Sequence, residues 1–365
     1  MIKEFVAIIV LGILTAFVFY FISTQIPFSP VPSTILHINS TPNTSSINLG
    51  YPYTNTSSNT TINKTENLTY PSPQHIKNYT PSNSTIAYAL TLINNDRAKY
   101  GLPPVSLSNI TSAQQHSDSM LKYDYFSHWD IYGMKPYMRY TLLGGKGAVQ
   151  ENVAYIYQSD GINVTSALKK MEYNMMYNDY TCCDNGHRDN ILNPYHNQVS
   201  IGVAFNHTTV YFTEDFINNY IAWFYNTPNI TKSDTVNLKG EILNKNMSLD
   251  NIEISYDPPV HNMTNAELAN TSSYSYGNIV AGVAYSQGDR SFYFPGVINV
   301  NASTYIVENN KFDISFNLLK LIKQEGAGEY TIMLWFNTTN SSAFIGSTYT
   351  FFINNTAEAY TPSHV

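Results

Sequence analysis

The longest apolar run of the chain is also its first. From Phe5 to Ser23 no charged side chain interrupts it, and at 1.5 Å per helical residue it spans about 28 Å, close to a bilayer's hydrocarbon thickness. Lys3 and the terminal amine precede the run, whereas after Glu4 the next charged side chain is Lys64. This asymmetry predicts a single-pass signal-anchor over 5–23, with residues 1–4 in the cytoplasm and the C-terminal bulk outside the cell. A cleavable signal peptide fits less well, because Tyr20-Phe21-Ile22-Ser23-Thr24 offers no small-x-small cleavage site.

Residues 24–81 have few apolar positions, almost no charge and much Asn, Ser, Thr and Pro. Such a segment cannot bury enough surface to offset its ordering entropy. It reads as a tether that holds the following domain on the order of 40 Å from the membrane. Asn-x-Ser/Thr sequons recur at Asn39, Asn43, Asn55, Asn59, Asn63, Asn67, Asn78 and Asn83. Composition alone generates some of these, and their density fits a glycosylated, outward-facing stalk.

Helical spacing begins after the tether. Ile86, Ala89, Leu90 and Ile93 predict a helix from Ser82 to about Tyr100, stopped by Gly101 and Pro103-Pro104. Ala113, His116, Met120 and Tyr123 predict a second helix over Ser108 to Tyr123, with His116 half-buried on its face. A Gly-rich loop at 144–147 leads to the short, apolar and aromatic stretch Ala148 to Tyr157. Leu168, Met171, Glu172, Met175 and Met176 predict a helix over Thr165 to Asp179, its methionine stripe serving as core filler. A short helix is expected from near His187 to Leu192, before Pro194. Ser200 to Phe205 and Val210 to Phe216 then form a predicted hairpin, with Glu214 and Asp215 as solvated strand-end carboxylates.

From about Asn226 the pattern changes to short strands at Val236–Ile242, Ile252–Tyr256, Gly277–Tyr285, Phe292–Val300, Phe312–Leu319, Glu329–Phe336 and Thr348–Ile353. Turns rich in Asn, Ser, Gly and Pro separate them, which predicts an immunoglobulin-like antiparallel β-sandwich over 227–357, followed by a tail at 358–365. No motif in this unit points to chemistry.

A chain of 365 residues accommodates two domains beside the anchor and tether. Charged residues make up only 12%, the net charge is −7, and no Lys/Arg stripe occurs, so nucleic acid is excluded as a partner. The two cysteines, Cys182 and Cys183, are adjacent. Neighbouring Cα atoms stand about 3.8 Å apart, below the usual span of a disulfide. Two small loop residues are therefore expected here, ahead of a redox switch or a thiolate ligand.

Candidate chemistry concentrates between Phe126 and Leu192. Phe126-Ser127-His128, Gln150-Glu151-Asn152-Val153-Ala154 and Asn185-Gly186-His187-Arg188 embed two histidines and a glutamate in distinctive runs, the residue types of a metal or acid/base site. Simpler roles stay open: Glu151 as a cap or a partner of Arg188, and His128 as a hydrogen-bonded histidine inside a cleft. No His-Glu-x-x-His helix and no Gly-x-Ser-x-Gly elbow occurs.

These runs also carry a resemblance. Leu92-Ile93-Asn94-Asn95-Asp96-Arg97 and Gly101-Leu102-Pro103-Pro104 come first, then Phe126-Ser127-His128, Glu151-Asn152-Val153-Ala154 and Gly186-His187-Arg188 with Asn190-Ile191-Leu192. Ile201-Gly202-Val203-Ala204 and Tyr211-Phe212-Thr213-Glu214-Asp215-Phe216 complete the order. Together they resemble the CAP superfamily (cysteine-rich secretory, antigen 5 and pathogenesis-related proteins), in its cysteine-poor prokaryotic SCP-like branch. The resemblance covers roughly 82–216 and implies an α/β/α sandwich around a small antiparallel sheet, placed at 82–226. The whole is thus an α+β chain: a transmembrane helix, the CAP domain and a β-sandwich.

The resemblance further implies a cleft with two histidines and two acidic residues around a divalent cation such as zinc. By motif these are His128, Glu151 and His187, with Glu172 at the ungapped position of the second acid; the tryptophan usual before that acid is absent, and Lys169 stands near its place. Imidazole and carboxylate donors suit zinc and leave a position open for water. Ligand geometry does not by itself make an enzyme. The leading expectation is a membrane-anchored, extracellular binding protein whose partners are surface proteins, glycans or lipids. The alternatives are a metal-assisted hydrolase of peptide or cell-envelope material, with Glu151 as general base, and a lipid or sterol carrier implied by family analogy.

Overall fold

The computed structural model describes residues 35–38, 81–224, 229–230, 234–271, 273–287, 290–338, 341–353 and 359–360. The anchor expected at 5–23 lies outside them, as does most of the tether. Among the described residues no helix is long and apolar enough to cross a membrane.

Helix α1 (Asn83–Lys99) starts where Ser82 Oγ accepts the Thr85 N–H at 3.2 Å and stops before Gly101, whose φ of +72° suits a residue without a Cβ. It buries Ala89, Ile93, Asp96 and Arg97. Arg97, from the Asn-Asn-Asp-Arg run, clamps the unit together. Its guanidinium donates to the carbonyls of Pro103 (3.0 Å), Ile191 (2.7 Å), Asn193 (3.0 Å) and His196 (3.2 Å).

Helices α2 (Ser112–Tyr123), α3 (Pro136–Leu142), α4 (Val164–Tyr177), α5 (Tyr180–Cys183) and α6 (Gly186–Ile191) follow. Of these α3 and α5 were not expected; Pro136 stands at the start of α3, where a missing N–H costs nothing, and α5 takes up the two cysteines read as loop residues. The helices cover a five-stranded sheet ordered β1-β3-β5-β4-β2, with β1 Ile35–Ile38, β2 Ser106–Leu107, β3 Ala148–Tyr157, β4 Gln198–Phe205 and β5 Thr209–Asn218. β3, β5 and β4 are antiparallel neighbours, while β1 and β2 lie parallel on the two edges. The edge strand β1 corrects the expectation of a structureless tether throughout 24–81: its four residues pair with Val153 to Ile156 of β3. An open sheet edge offers unpaired backbone groups to such a run.

Strand alternation assigns the two faces. Ala154, Ile156, Phe212 and Phe216 pack with Ala89 and Ile93 of α1, Leu168, Met171 and Met175 of α4, and Ile191 of α6. Val153 and Tyr211 face Met120 of α2, and Val149 and Ile217 face Tyr140 of α3. Helices therefore lie on both sides of the sheet, as an α/β/α sandwich requires. The methionine stripe is core, as its spacing predicts. Gly202 is needed on β4 because a Cβ there would collide with the Ala113 carbonyl of α2.

The C-terminal unit is β-rich. Its strands are β6 Ile221–Trp223, β7 Asn229–Ile230, β8 Thr235–Ile242, β9 Met247–Asp257, β10 Asn278–Gln287, β11 Arg290–Phe292, β12 Ile298–Glu308, β13 Lys311–Asn317, β14 Gly328–Thr338, β15 Ser341–Ile353 and β16 Ala359–Tyr360. They run in the order β16-β15-β14-β9-β10-β12-β13-β8-β6, with β11 beside β10 and β7 beside β8. β12 pairs first with β10, through 298–301, and then with β13, through 302–308. Leu238 of β8 and Ile314 of β13 share one core with Ile254 of β9 and Ile332 of β14. Strands far apart in the order thus meet face to face, so the sheet folds over at β12.

Three expectations need correction here. The pairing of β10 with β12 is parallel, so the unit is not wholly antiparallel. The strand expected over Phe292–Val300 is broken between β11 and β12 by Pro295-Gly296, Gly296 having a φ of +80°. The strand expected to reach Leu319 stops at Asn317, and helix α8 (Leu319–Glu325) begins; its Leu321 and Ile322 fill the core.

The two units are in close contact. Lys135 Nζ and the Tyr137 hydroxyl donate to Asp257 Oδ1 and Oδ2, each at 2.6 Å. Met134, Tyr137 and Met138 share an apolar cluster with Tyr274 and Phe352. The segment between β9 and β10, which carries helix α7 (Asn265–Ala269), buries Leu268 against Met120 and Tyr125.

Candidate functional site: the cleft histidines

His128 follows α2 in a loop fixed by buried polar contacts. His116 Nε2 donates to the Ser127 carbonyl at 2.8 Å, and Arg139 Nη1 donates to the carbonyls of His128 and Met134, each at 2.8 Å. His116 is wholly buried, not half-buried as its helical position suggests, and burial holds its pKa well below the ordinary value. Both oxygens of Glu151 are engaged: Oε1 accepts from His128 Nδ1 at 2.9 Å and Oε2 from Arg139 Nη2 at 2.6 Å. Arg188 is not its partner. Burial raises the Glu151 pKa to about 7 against the opposing pull of Arg139.

Asp215 stands opposite Glu151 in the β3–β5 ladder, and its Oδ2 accepts from Ser112 Oγ. Burial, and then Glu151, pushes its pKa well up. Glu214 and Asp215 are both buried, which overturns their reading as solvated strand-end groups. β5 continues to Asn218 and lies between β3 and β4, so these two positions are central in the sheet.

Tyr274, from the segment before β10, covers this group. Its hydroxyl accepts the Glu151 N–H at 2.8 Å and its ring centroid lies 5.2 Å from that of His128. Alongside, Ser127 Oγ meets Thr271 Oγ1 at 2.5 Å, and Trp129 Nε1 donates to the Ser273 carbonyl at 3.2 Å. His128 and Glu151 are left with no exposed surface.

His187 belongs to another group. Asp184 (φ 47°) and Asn185 (φ 66°) turn the chain tightly between α5 and α6. Asp179 Oδ2 can then accept the N–H groups of His187 (2.9 Å) and Arg188 (3.1 Å), capping α6 in place of Asn185. Asp179 Oδ1 accepts from His187 Nδ1 at 2.6 Å, which directs Nε2 away from the carboxylate. That nitrogen is buried and has no hydrogen-bond partner among the described residues. A carboxylate on one ring nitrogen is how proteins orient a metal-binding histidine.

Glu172 occupies a third place. On the sheet face opposite Glu151 it meets Glu214; burial and then that neighbour push its pKa well up, and burial raises Glu214 to about 7. Asn152 Nδ2 donates to Glu214 Oε2 and to the His187 carbonyl, each at 3.1 Å, and Asn190 Nδ2 donates to Asn152 Oδ1 at 2.8 Å.

The four residues that the resemblance assigns to a cation thus fall into three groups. As arranged, Glu151 and Glu172 do not fit that role: the first faces a guanidinium and the second another carboxyl group. Among the described residues, three donor atoms gather within 4.8 Å of one another at Asp179, Cys183 and His187, all buried. As arranged these atoms are already engaged: Cys183 is bonded to Cys182 (S–S 2.16 Å, Cα–Cα 3.7 Å), and both Asp179 oxygens accept hydrogen bonds, one of them from His187 itself. The disulfide corrects the expectation of two unlinked cysteines, which rested on the usual Cα spacing. Asp179, Arg139 and Tyr274 were not singled out from sequence, and Asp215 was set aside there as a solvated carboxylate. Only Asp179 carried a local signal, lying one helical turn before Cys183 and just ahead of the Asp-Asn-Gly turn.

Beside the His187 group is an open cavity of about 450 Å³, lined by Tyr100, Tyr177, Asn178, Tyr180, Asn185 and Arg188 among others. Tyr180 is 71% exposed. The Arg188 guanidinium lies 5.5 Å from the centre of the Tyr100 ring.

Comparison with known proteins adds three findings. An extracellular protein containing an SCP domain from Bacillus anthracis str. Ames is 23% identical over 37% of this chain and 40% of its own, with a TM-score of 0.30. The match therefore spans less than half of that protein. No curated protein matches the chain. Residues 90–217 match the model of the cysteine-rich secretory protein family, CAP, and with the motif order above this part of the chain is a CAP domain.

Proposed function

We propose that the chain is a membrane-tethered, outward-facing binding protein that engages glycans of the cell surface. The observation that carries this reading is a contrast in exposure. His128 and Glu151 are sealed beneath Tyr274, whereas Tyr100, Tyr177 and Tyr180 line an open cavity beside Arg188 and Asn178. Aromatic faces flanked by amide and guanidinium donors suit sugar rings, which pair apolar C–H faces with hydroxyl groups. Glu151 as a general base would need to reach water and substrate, and both of its oxygens are already bonded to protein. The uncharged run at 5–23 and the sequon-rich tether support an anchored, external location.

Retention of the full chain on isolated cell-envelope polysaccharide tests the reading, with Tyr180→Ser and Glu151→Gln in parallel. Retention should fall for Tyr180→Ser and persist for Glu151→Gln. Polysaccharide cleavage by the wild type that is lost in Glu151→Gln would favour the hydrolase instead.

A further inference from the structure

We propose that the tyrosine-lined cavity and the adjoining outer face of α4 bind an acidic polysaccharide, a polymer of uronic acids whose carboxylates pair with Arg188, Lys169 and Lys170. The inference rests on the glycan reading of the cavity and names the kind of glycan. Its basis is a local set of cations without carboxylate partners, on a chain whose net charge is −7.

Arg188 is the charged side chain of the cavity lining, and among the described residues it makes no ion pair. Asp184 and Asp189 lie close to it in sequence, yet neither pairs with it. Lys99 sets its ammonium 5.3 Å from the centre of the Tyr177 ring, but Asp96 already matches that charge at 2.7 Å.

The positive surface continues along α4. Lys169, Tyr173 and the cavity residue Tyr177 follow one another at intervals of four residues, and Lys170 stands three before Tyr173, so the four share one helix face. All four are exposed, and the two tyrosine rings lie 5.0 Å apart. Neither lysine is ion-paired among the described residues, and Glu172, the acid of this helix, is buried. From Lys169 to Tyr177 the helix rises about 12 Å, so an extended chain leaving the cavity passes both lysines.

Each part of a uronate has a partner here. Ring C–H faces suit the tyrosines, hydroxyl groups suit the amides of Asn178 and Asn185, and a carboxylate accepts two N–H groups from a guanidinium fork. A uronate carries its charge on the sugar ring itself, and the Arg188 guanidinium lies 5.5 Å from the centre of the Tyr100 ring. A sugar stacked in the cavity therefore brings its carboxylate to the guanidinium. The negative charge elsewhere on the chain acts weakly on this site, since screening takes hold beyond about 8 Å at physiological salt.

Binding of the detergent-solubilised full chain to polygalacturonate, to its carboxyl-reduced neutral form and to dextran sulfate tests the inference, in calcium-free buffer with EDTA. Polygalacturonate should bind about tenfold more tightly than the neutral form, and about 1 M salt should remove most of that difference. Arg188→Gln, and separately the double variant Lys169→Gln/Lys170→Gln, should weaken polygalacturonate binding severalfold and leave the neutral form as it was. Lys320→Gln, exposed on α8, removes the same charge elsewhere and should change neither. Equal binding of the acidic and neutral polymers would overturn the inference while leaving the glycan reading in place; binding of neither would overturn both. Dextran sulfate held as tightly as polygalacturonate, or a loss in Lys320→Gln equal to that in Arg188→Gln, would reduce the effect to unspecific charge attraction and overturn the inference as well.

Discussion

The hydroxyl of Tyr274 accepts the backbone N–H of Glu151 at 2.8 Å. A residue of the β-rich unit thereby completes the polar network of the CAP domain and keeps water from it. The β-rich unit thus contributes directly to the burial of His128 and Glu151.

Truncating this residue should be costly. Tyr274→Phe removes one hydrogen bond at a buried site, a loss of about 1 kcal/mol. Tyr274→Ala also leaves a cavity beside His128 and is expected to cost roughly 3 kcal/mol or more. Urea unfolding of the two variants checks the order, and equal stabilities would mean that the ring does not pack as described.

Arg97 should tolerate no replacement, lysine included. Its planar guanidinium serves four carbonyls on two separate stretches, at Pro103 and within 191–196, and an ammonium cannot reach all of them. Arg97→Lys is expected to lose at least about 3 kcal/mol through carbonyls left buried and unpaired. The same urea experiment reads it.

Stability should fall as pH rises through neutrality. Burial, chiefly, raises Glu329 from an ordinary 4.5 to about 8, and Glu214 reaches about 7. Each binds its proton more tightly folded than unfolded, so its contribution is complete below about 4.5 and is lost as pH passes through the folded value. Melting temperature should therefore be higher at pH 5 than at pH 9. Glu329→Gln, which keeps the side chain neutral, should flatten the upper end of that curve.

Glu172 should have no part in metal binding. Glu172→Gln replaces one carboxyl group of a buried pair by a neutral amide and is expected to leave zinc content unchanged while reducing the stability loss above pH 7. Loss of metal in this variant would restore Glu172 as a ligand.

The sequence made the CAP domain legible because its helices carry clear stop signals and periodic apolar faces. The bounds of β3 agree with the apolar stretch read from Ala148 to Tyr157, and Gly101 ends α1. Helix α3 escaped notice because it is short and nearly all its residues are buried, which erases the polar face that periodicity needs. The site was legible as a set of residue types and not as a set of contacts. Glu151 meets Arg139, and His187 meets Asp179, through turns and loops whose geometry has no periodic signature. Tyr274 comes from the other structural unit, a distance in sequence across which local patterns carry no information.

The central claim is that the His128–Glu151 pair is sealed, and hydrogen–deuterium exchange at the histidine C2 position measures this most directly. In the folded full chain His128 should exchange far more slowly than His207, which is exposed, and Tyr274→Ala should bring the two rates together. Equal rates in the wild type would contradict closure and return Glu151 to consideration as a catalytic base.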